Sequence, residues 1–277
     1  MIWKIRRNTV SFGRTLLMGI LNITPDSFSD GGCYLDLKTA GAQALKLVEE
    51  GADILDLGAE STRPGALPVT AREELERLLP VLKRIRKEVL VPISIDTVRP
   101  EVAKECLEAG ADIINDVSGL KRSGLDMAKV VKKFGAGLVL MHSRGTPETM
   151  QTLASYKDVI TDVMSELRES IRLATDAGVE RERIVVDPGL GFAKTPEQNL
   201  EILKKISVFH ELGFPILTGP SRKSFVGKVT GREVKDRMFG TAACVAACVR
   251  EGVQILRVHE PGAMRDVILM TEAIKGD

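Results

Sequence analysis

One pattern recurs along the chain and constrains its fold more than any other. An amphipathic stretch of helix length ends in glycine, a short apolar run follows, and polar residues close it. Gly51-Ala52-Asp53 leads into Ile54-Leu55-Asp56-Leu57, and Gly110-Ala111-Asp112 into Ile113-Ile114-Asn115-Asp116. Gly135 precedes Gly137 to Met141, Gly213 precedes Ile216 to Thr218, and Gly252 precedes Val253 to Val258. The glycine suits the left-handed cap that ends a helix. Four or five apolar residues are too few for a helix and suit a strand buried on both faces. With Leu16 to Leu21, Val91 to Ile95 and Ile184 to Val186 there are eight such runs. Helices are expected over 38–50, 70–88, 99–109, 124–134, 155–177, 196–212, 236–251 and 261–275. Alternation of strand and helix predicts parallel strands with right-handed crossovers, and the count predicts an α/β fold, a single (β/α)8 TIM barrel spanning 1–277. An open doubly wound sheet is the alternative, disfavoured because no Gly-x-Gly-x-x-Gly follows an early strand. The first dozen residues read as a cap or short hairpin at the barrel base.

Composition removes several classes of function. A net charge of +1 provides no bulk field to recruit nucleic acid or anionic lipid. Aromatics are few and no basic stripe interleaves with them, so a nucleic-acid groove is not expected. No run reaches the roughly 18 apolar residues of a membrane span, and residues 1–14 lack the apolar region of a signal peptide. The expected location is cytoplasmic. Cys33, Cys106, Cys244 and Cys248 form no Cys-x-x-Cys pair and read as buried small hydrophobes in a reducing compartment.

In barrels of this kind the active site lies at the C-terminal ends of the strands. Taken in order, those ends carry Asn22; Asp56 with Glu60-Ser61-Thr62-Arg63; Asp96; Asn115-Asp116; Met141-His142; Asp187; Gly219 with Ser221-Arg222-Lys223-Ser224; and Arg257 with His259. Any one of these could simply cap the next helix, and Asp116, Thr97 and Ser118 are assigned that role. The whole ring is another matter. Ionised groups converging on one mouth are costly without partners, and a bound polar ligand resolves the cost. The mixture of carboxylates, amides and cations points to a planar heterocycle carrying donors, with an anion nearby.

The anion site is separable. Gly219-Pro220-Ser221-Arg222-Lys223-Ser224 opens a helical turn whose free N–H groups, hydroxyls and cations suit phosphate or carboxylate. Arg257 and His259 form a second cationic cluster, although His259 taken alone reads equally well as structural. His142 reads as structural or as a support behind the site residues, and His210 as exposed late in a helix. Two long stretches, Thr24 to Asp36 and Ser61 to Val69, lack helical pattern and read as functional loops. Phe28 in the first has no periodic partner and is placed to close over a ligand.

Six motifs resemble dihydropteroate synthases. They are Leu21 to Gly32 (LNITPDSFSDGG), Asp56 to Gly65 (DLGAESTRPG), Ser94 to Thr97, Ile114 to Gly119, Asp187 to Phe192 (DPGLGF) and Gly219 to Phe225 (GPSRKSF). Ala59 stands where many members have a second glycine. The resemblance implies condensation of a hydroxymethyl-dihydropterin pyrophosphate with p-aminobenzoate and release of pyrophosphate. It further implies that Asp96, Asn115, Met141, Asp187, Phe192, Gly219 and Lys223 line the pterin pocket. Asn22, Arg257 and His259 would bind pyrophosphate with Mg²⁺, Asn22 being the metal ligand. Phe28, Thr62, Arg63, Pro64, Arg222 and Ser224 would shape the p-aminobenzoate site. Asp30, Lys223, Arg257 and His259 would carry the catalytic roles, by stabilising charge rather than by supplying a nucleophile. A methyltetrahydrofolate-dependent methyltransferase would not need the Thr24–Gly32 segment or the Ser221–Ser224 turn, and a non-catalytic pterin-binding protein would not need the leaving-group residues. The partners implied are small molecules, with no nucleic acid and no membrane. Gly240, Ala242, Ala243, Ala246 and Ala247 within 236–251 permit close helix approach; packing on the barrel alone would explain them, and the resemblance implies a homodimer there.

Overall fold

The computed structural model describes residues 1–23, 32–60 and 69–276. Phe28, Asp30, Thr62, Arg63 and Pro64 lie outside the described residues. Two short strands, β1 (Ile2–Lys4) and β2 (Thr9–Ser11), pair antiparallel as the expected hairpin. Strand and helix then alternate: β3 (Leu16–Asn22), α1 (Gly32–Glu49), β4 (Ile54–Gly58), α2 (Ala71–Ile85), β5 (Ile93–Asp96), α3 (Pro100–Glu108), β6 (Ile113–Asp116) and α4 (Gly124–Phe134). There follow β7 (Gly137–Met141), α5 (Val159–Asp176), β8 (Ile184–Asp187), α6 (Pro196–Lys204), β9 (Leu217–Thr218), α7 (Ser224–Thr230), α8 (Met238–Arg250), β10 (Ile255–Val258) and α9 (Pro261–Lys275).

Among the described residues, β3 to β10 form one eight-stranded sheet in the order β8-β7-β6-β5-β4-β3-β10-β9, with every pairing parallel. A parallel bridge from Val186 to Ile216 joins the two ends, and Val186 N–H donates to the Pro215 carbonyl at 3.0 Å. The sheet therefore curls into the expected barrel, closed at this seam by a single bridge. The five glycines read as helix caps, Gly51, Gly110, Gly135, Gly213 and Gly252, have φ of 96°, 114°, 60°, 75° and 76°, the left-handed region that only glycine enters without strain.

Three departures from the sequence reading are more than a shift of a helix end by a few residues. α1 begins at Gly32 rather than 38, so the first loop is shorter than its composition suggests. The span 196–212 is not one helix: α6 stops at Lys204, Lys205 leaves helical geometry at φ −117°, and a 3₁₀ turn over Ile206–Leu212 completes the connection. α7 was expected only as a turn. Where sequence carries both cap partners the starts are sharp. Thr70 with Glu73 and Thr195 with Gln198 form capping boxes at α2 and α6, each satisfying N–H groups that a helix start leaves unpaired.

The core has two layers. Between strands and helices lies an aliphatic shell that includes Leu17, Leu55, Ile95, Ile114, Leu138 and Val186. Inside the barrel, Leu16, Met18, Ile54, Val139, Val185 and Ile255 pack with Trp3 and Ile5 from the hairpin. Trp3 is fully buried, and its indole N–H donates to the Arg183 carbonyl at 2.8 Å. Gly137 leaves room for this plug, because a Cβ there would sit 2.8 Å from Ile5 Cγ2. The hairpin thus seals the barrel floor and leaves the opposite end, where the strands terminate, for chemistry.

Candidate active site

Side chains alternate across a strand, so the buried floor decides which polar residues reach the barrel axis. Leu16 and Met18 pack inside with Trp3, which places Asn22 inside as well. By the same parity Ile54 brings in Asp56, Ile113 brings in Asn115, Val139 brings in Met141 and Val185 brings in Asp187. Leu217 places Gly219, and Ile255 places Arg257 and His259. On β5, Ile93 and Ile95 belong to the outer shell, leaving Ser94 and Asp96 to face the axis. Asp116 is out of step. Its carboxylate accepts from the N–H and hydroxyl of Ser118 at 2.8 and 2.6 Å and from the Ser123 hydroxyl at 2.7 Å, so it braces the turn after β6 rather than capping α4, whose N-cap is Ser123.

At the mouth Arg257 is the central cation. Its Nε donates to Asp56 Oδ2 at 2.6 Å and one Nη to Asp96 Oδ2 at 3.0 Å. Asn115 Nδ2 donates to the same Asp56 oxygen at 3.2 Å. Burial pushes Asp96 up to about 7, outweighing the pull of Arg257, with Asp56 and Glu74 adding repulsion. Burial likewise pushes Asp187 up to about 6, against the Gly189 N–H, Lys223, Lys194 and Arg257. Lys223 is pushed down to about 8 by burial and by Arg257, and its ammonium sits 4.3 Å from the centre of the Phe192 ring. Met141, Met150, Phe192 and Ala193 form a small apolar cluster beside these groups. A narrow cleft flanks them on the side of the loop after β7, lined by Asp96, Val117, Ser143, Arg144, Met150 and Phe192 among others. Carboxylate and amide acceptors, an ammonium donor and flat apolar walls match a planar ring whose edge carries both donors and acceptors.

The turn after β9 is built differently from its sequence reading. Ser221 was expected to serve an anion. Its hydroxyl instead lies 2.9 Å from His259 Nδ1 and accepts the His259 backbone N–H at 3.2 Å, fixing the imidazole at the mouth. Arg222, at a left-handed φ of 56°, pairs with Glu260, the residue preceding α9. Ser224 is exposed at the first position of α7. His210 corrects the reading of an exposed helical histidine: it is half-buried in a 3₁₀ turn, with Nε2 3.0 Å from the Glu251 carbonyl.

The family model for pterin binding enzymes matches residues 18–259, a span that begins on the first barrel strand and ends at His259. The chain belongs to the dihydropteroate synthase family. The dihydropteroate synthase of Synechocystis is 46% identical over 262 residues, covering 94% of this chain and 90% of the relative. The Yersinia pestis dihydropteroate synthase, solved with a sulfonamide drug, aligns with a TM-score of 0.93 at 36% identity over 100% of both chains. The Xanthomonas albilineans dihydropteroate synthase, solved with 7,8-dihydropteroate, aligns with a TM-score of 0.90 at 36% identity over 100% of both.

Within this dihydropteroate synthase fold the described site residues Asn22, Asp96, Asn115, Met141, Asp187, Phe192, Gly219, Lys223, Arg257 and His259 gather at one end of the barrel. Asp56 was seen in the sequence ring but given no role. The structure makes it, fully buried, the residue that anchors both Arg257 and Asn115. Its parity with Ile54 was the available signal. The three described cysteines, Cys106, Cys244 and Cys248, are unbridged and buried or half-buried, and Cys106 and Cys248 are fully enclosed, as small apolar residues would be. Among the described residues no three His, Cys, Asp or Glu side chains form a metal-holding group, and no helix is long and apolar enough to cross a membrane.

Proposed function

We propose that the mouth of this barrel joins hydroxymethyl-dihydropterin pyrophosphate to p-aminobenzoate, releasing pyrophosphate and forming dihydropteroate. One observation supports this most: strand parity sets Asp96, Asn115, Asp187 and Arg257 on the inner face at the same end of the sheet. Asp187 and Asp96 accept from the N–H groups of the pterin edge, Asn115 and Lys223 complete its hydrogen bonds, and Phe192 and Met141 cover its faces. Arg257 and His259 receive the leaving pyrophosphate, where fixed positive charge lowers the barrier most. The carbon–oxygen bond to pyrophosphate breaks, the carbon–nitrogen bond to the arylamine forms, and the amine releases one proton. No side chain attacks. Ionised Asp96 and Asp187 favour positive charge on the pterin as the bond to oxygen lengthens. Arg222 and Ser224, with Phe28, Thr62, Arg63 and Pro64, are assigned to p-aminobenzoate, and Asp30 to charge stabilisation.

Mg²⁺ fits the donor set in a limited way. With no carboxylate trio among the described residues, the Asn22 amide oxygen at the end of β3 is the protein ligand assigned to it, and phosphate and water supply the rest. When bound it neutralises charge on the leaving pyrophosphate. The same reading makes the protein a cytoplasmic homodimer with no nucleic-acid or membrane partner. An apolar groove between α6, α7 and α8, with Leu200, Val226, Val229, Ala243 and Ala247 on its wall, supports the dimer, as does Phe239 at 81% exposure nearby. Pyrophosphate release with p-aminobenzoate, with a thiol methyl acceptor and with neither separates the synthase from a methyltransferase and from a passive binder. Release that does not depend on p-aminobenzoate would sink the proposal.

A further inference from the structure

A second set of buried charges lies under the turn that follows β8. Lys194 is 3% exposed, and its ammonium has three N–H donors. Nζ lies 2.9 Å from the Gly189 carbonyl, 2.9 Å from the Phe192 carbonyl and 3.0 Å from His142 Nδ1. All three are acceptors, so Nδ1 is unprotonated and the imidazole proton sits on Nε2. That nitrogen lies 3.2 Å from Glu166 Oε2, close enough for an electrostatic contact but without hydrogen-bond geometry. Glu166 is gripped in turn by Arg144, at 2.5 Å, and by Lys121. Burial pushes Lys194 down to about 7 and His142 down to about 3. Burial opposes ionisation of Glu166, but the close approach of His142 and the hydrogen bonds from Arg144 and Lys121 hold it well below the usual carboxylate range.

The turn itself is wired to this set. Ala193 takes a left-handed φ of 48°, which folds Lys194 back beneath Gly189. Gly189 has φ 71°, and a Cβ there would lie 1.9 Å from the His142 carbonyl oxygen, so the turn lies directly on the end of β7. Gly189 N–H donates to Asp187 Oδ1 at 2.7 Å, and Gly191 N–H donates to Asn199 Oδ1 at 2.6 Å. The amide N–H groups of the turn thus answer Asp187 and Asn199, and its carbonyls answer Lys194. Phe192, whose ring carries the Lys223 ammonium, is the last residue held this way.

We propose that Lys194 is a positioning residue for the pterin pocket: by tying the Gly189 and Phe192 carbonyls to His142, it holds the Asp187 carboxylate and the Phe192 face at the spacing a flat polar heterocycle requires. The inference rests on the assignment of Asp187 and Phe192 to the pterin. It does not require Lys194 to touch substrate.

The test compares Lys194→Met, Lys194→Gln and His142→Phe with the parent and with Asp187→Ala, all as full chains. KM for pterin pyrophosphate, KM for p-aminobenzoate and kcat are measured separately, with circular dichroism to confirm folding. Lys194→Met is expected to raise the pterin pyrophosphate KM at least tenfold while the p-aminobenzoate KM at saturating pterin stays within twofold. Lys194→Gln keeps two donors, and His142→Phe removes one of the three acceptors, so each is expected to raise the same KM by about threefold. If Lys194→Met does not fold, these two decide the matter. Unchanged pterin KM in the folded Lys194 variants, with Asp187→Ala impaired, overturns the inference and leaves the pterin assignment standing. Equal rises in both KM values also overturn it, because the role would then be general scaffolding. Unchanged pterin affinity in Asp187→Ala overturns the assignment underneath.

Discussion

Arg257→Met should cost more stability than its place in an active site suggests, and the cost should depend on pH in a defined direction. The guanidinium lies between Asp56, fully buried, and Asp96, 9% exposed, at 2.6 and 3.0 Å. Removing one member of a buried ion pair leaves the other without compensation, at about 3–5 kcal/mol. The arginine side chain is 19% exposed, so water already screens part of the interaction and the low end, about 3 kcal/mol, applies. For a chain of 277 residues, with about 2.1 cal/mol/K of unfolding entropy per residue, that corresponds to a fall of about 5 °C in melting temperature. Burial already holds Asp96 at about 7, above its ordinary 3.8, and loss of the adjacent guanidinium moves it further up. A carboxylate raised in the folded state contributes stability that is fully present below its unfolded pKa and is lost as pH rises through the folded value. The deficit of Arg257→Met relative to the parent should therefore be smallest near pH 4 and grow through pH 7. Urea unfolding of both proteins at pH 5 and pH 8 reads this directly. Adding Asp56→Asn to the variant should restore more than about 1 kcal/mol, because the two substitutions share one contact. A deficit under about 1 kcal/mol at pH 8, or one that grows toward pH 5, would refute the account of Arg257 as the counter-charge of two buried carboxylates.

Asp187→Ala should weaken pterin binding by about 1–3 kcal/mol, roughly five- to 150-fold, with p-aminobenzoate capture at saturating pterin unchanged; calorimetry with a pterin lacking phosphate measures it. In the parent, pterin affinity should fall as pH drops from 8 to 5, because Asp187 and Asp96, raised to about 6 and about 7, take up protons and lose acceptor capacity; a flat profile would show that neither carboxylate meets the ring edge. Asn22→Ala should raise the Mg²⁺ concentration needed for half-maximal pyrophosphate release without weakening the phosphate-free pterin, and equal loss of both would contradict its assignment. Trp3→Ala should destabilise by about 3–5 kcal/mol while leaving the KM values of the folded enzyme near the parent's, since the plug lies at the end away from the site.

Much of this was legible because two simple periodicities dominate the chain. Cap glycines such as Gly110 and Gly135 marked strand starts, and runs such as Ile113 to Asp116 marked strand ends and the polar groups on them. Telling Asn115, on the axis, from Asp116, in the turn beyond it, needed only the alternation that begins at Ile113. What sequence did not show were contacts between residues far apart in it. Nothing local to Arg257 says that it joins Asp56 to Asp96, nor that Ser221 orients His259 rather than an anion. The stop at Lys205 was hidden because Ile206, Phe209 and Leu212 continue an apolar spacing that a 3₁₀ turn satisfies as well as a helix. Lys194 follows a recognisable motif, yet its burial depends on the left-handed Ala193, a residue type that gives no warning of that conformation.

The hairpin at the barrel floor bears on the order in which the molecule assembles. Trp3 is the only tryptophan in the chain, and its indole N–H is answered by a carbonyl 180 residues further on. Its other neighbours in the floor come from strands as late as β9 and β10. Long-range closure of this kind comes after local structure, because the chain entropy must be surrendered before the contact returns anything. Residues 2–11, though synthesised before the barrel, therefore have no binding surface until nearly all of it exists. Emission from the single indole then reports completion of the barrel rather than formation of any one helix. A nascent chain halted before Arg183 should still fluoresce like tryptophan in water, and the shift to shorter wavelength should arrive only with the strands near the C-terminus.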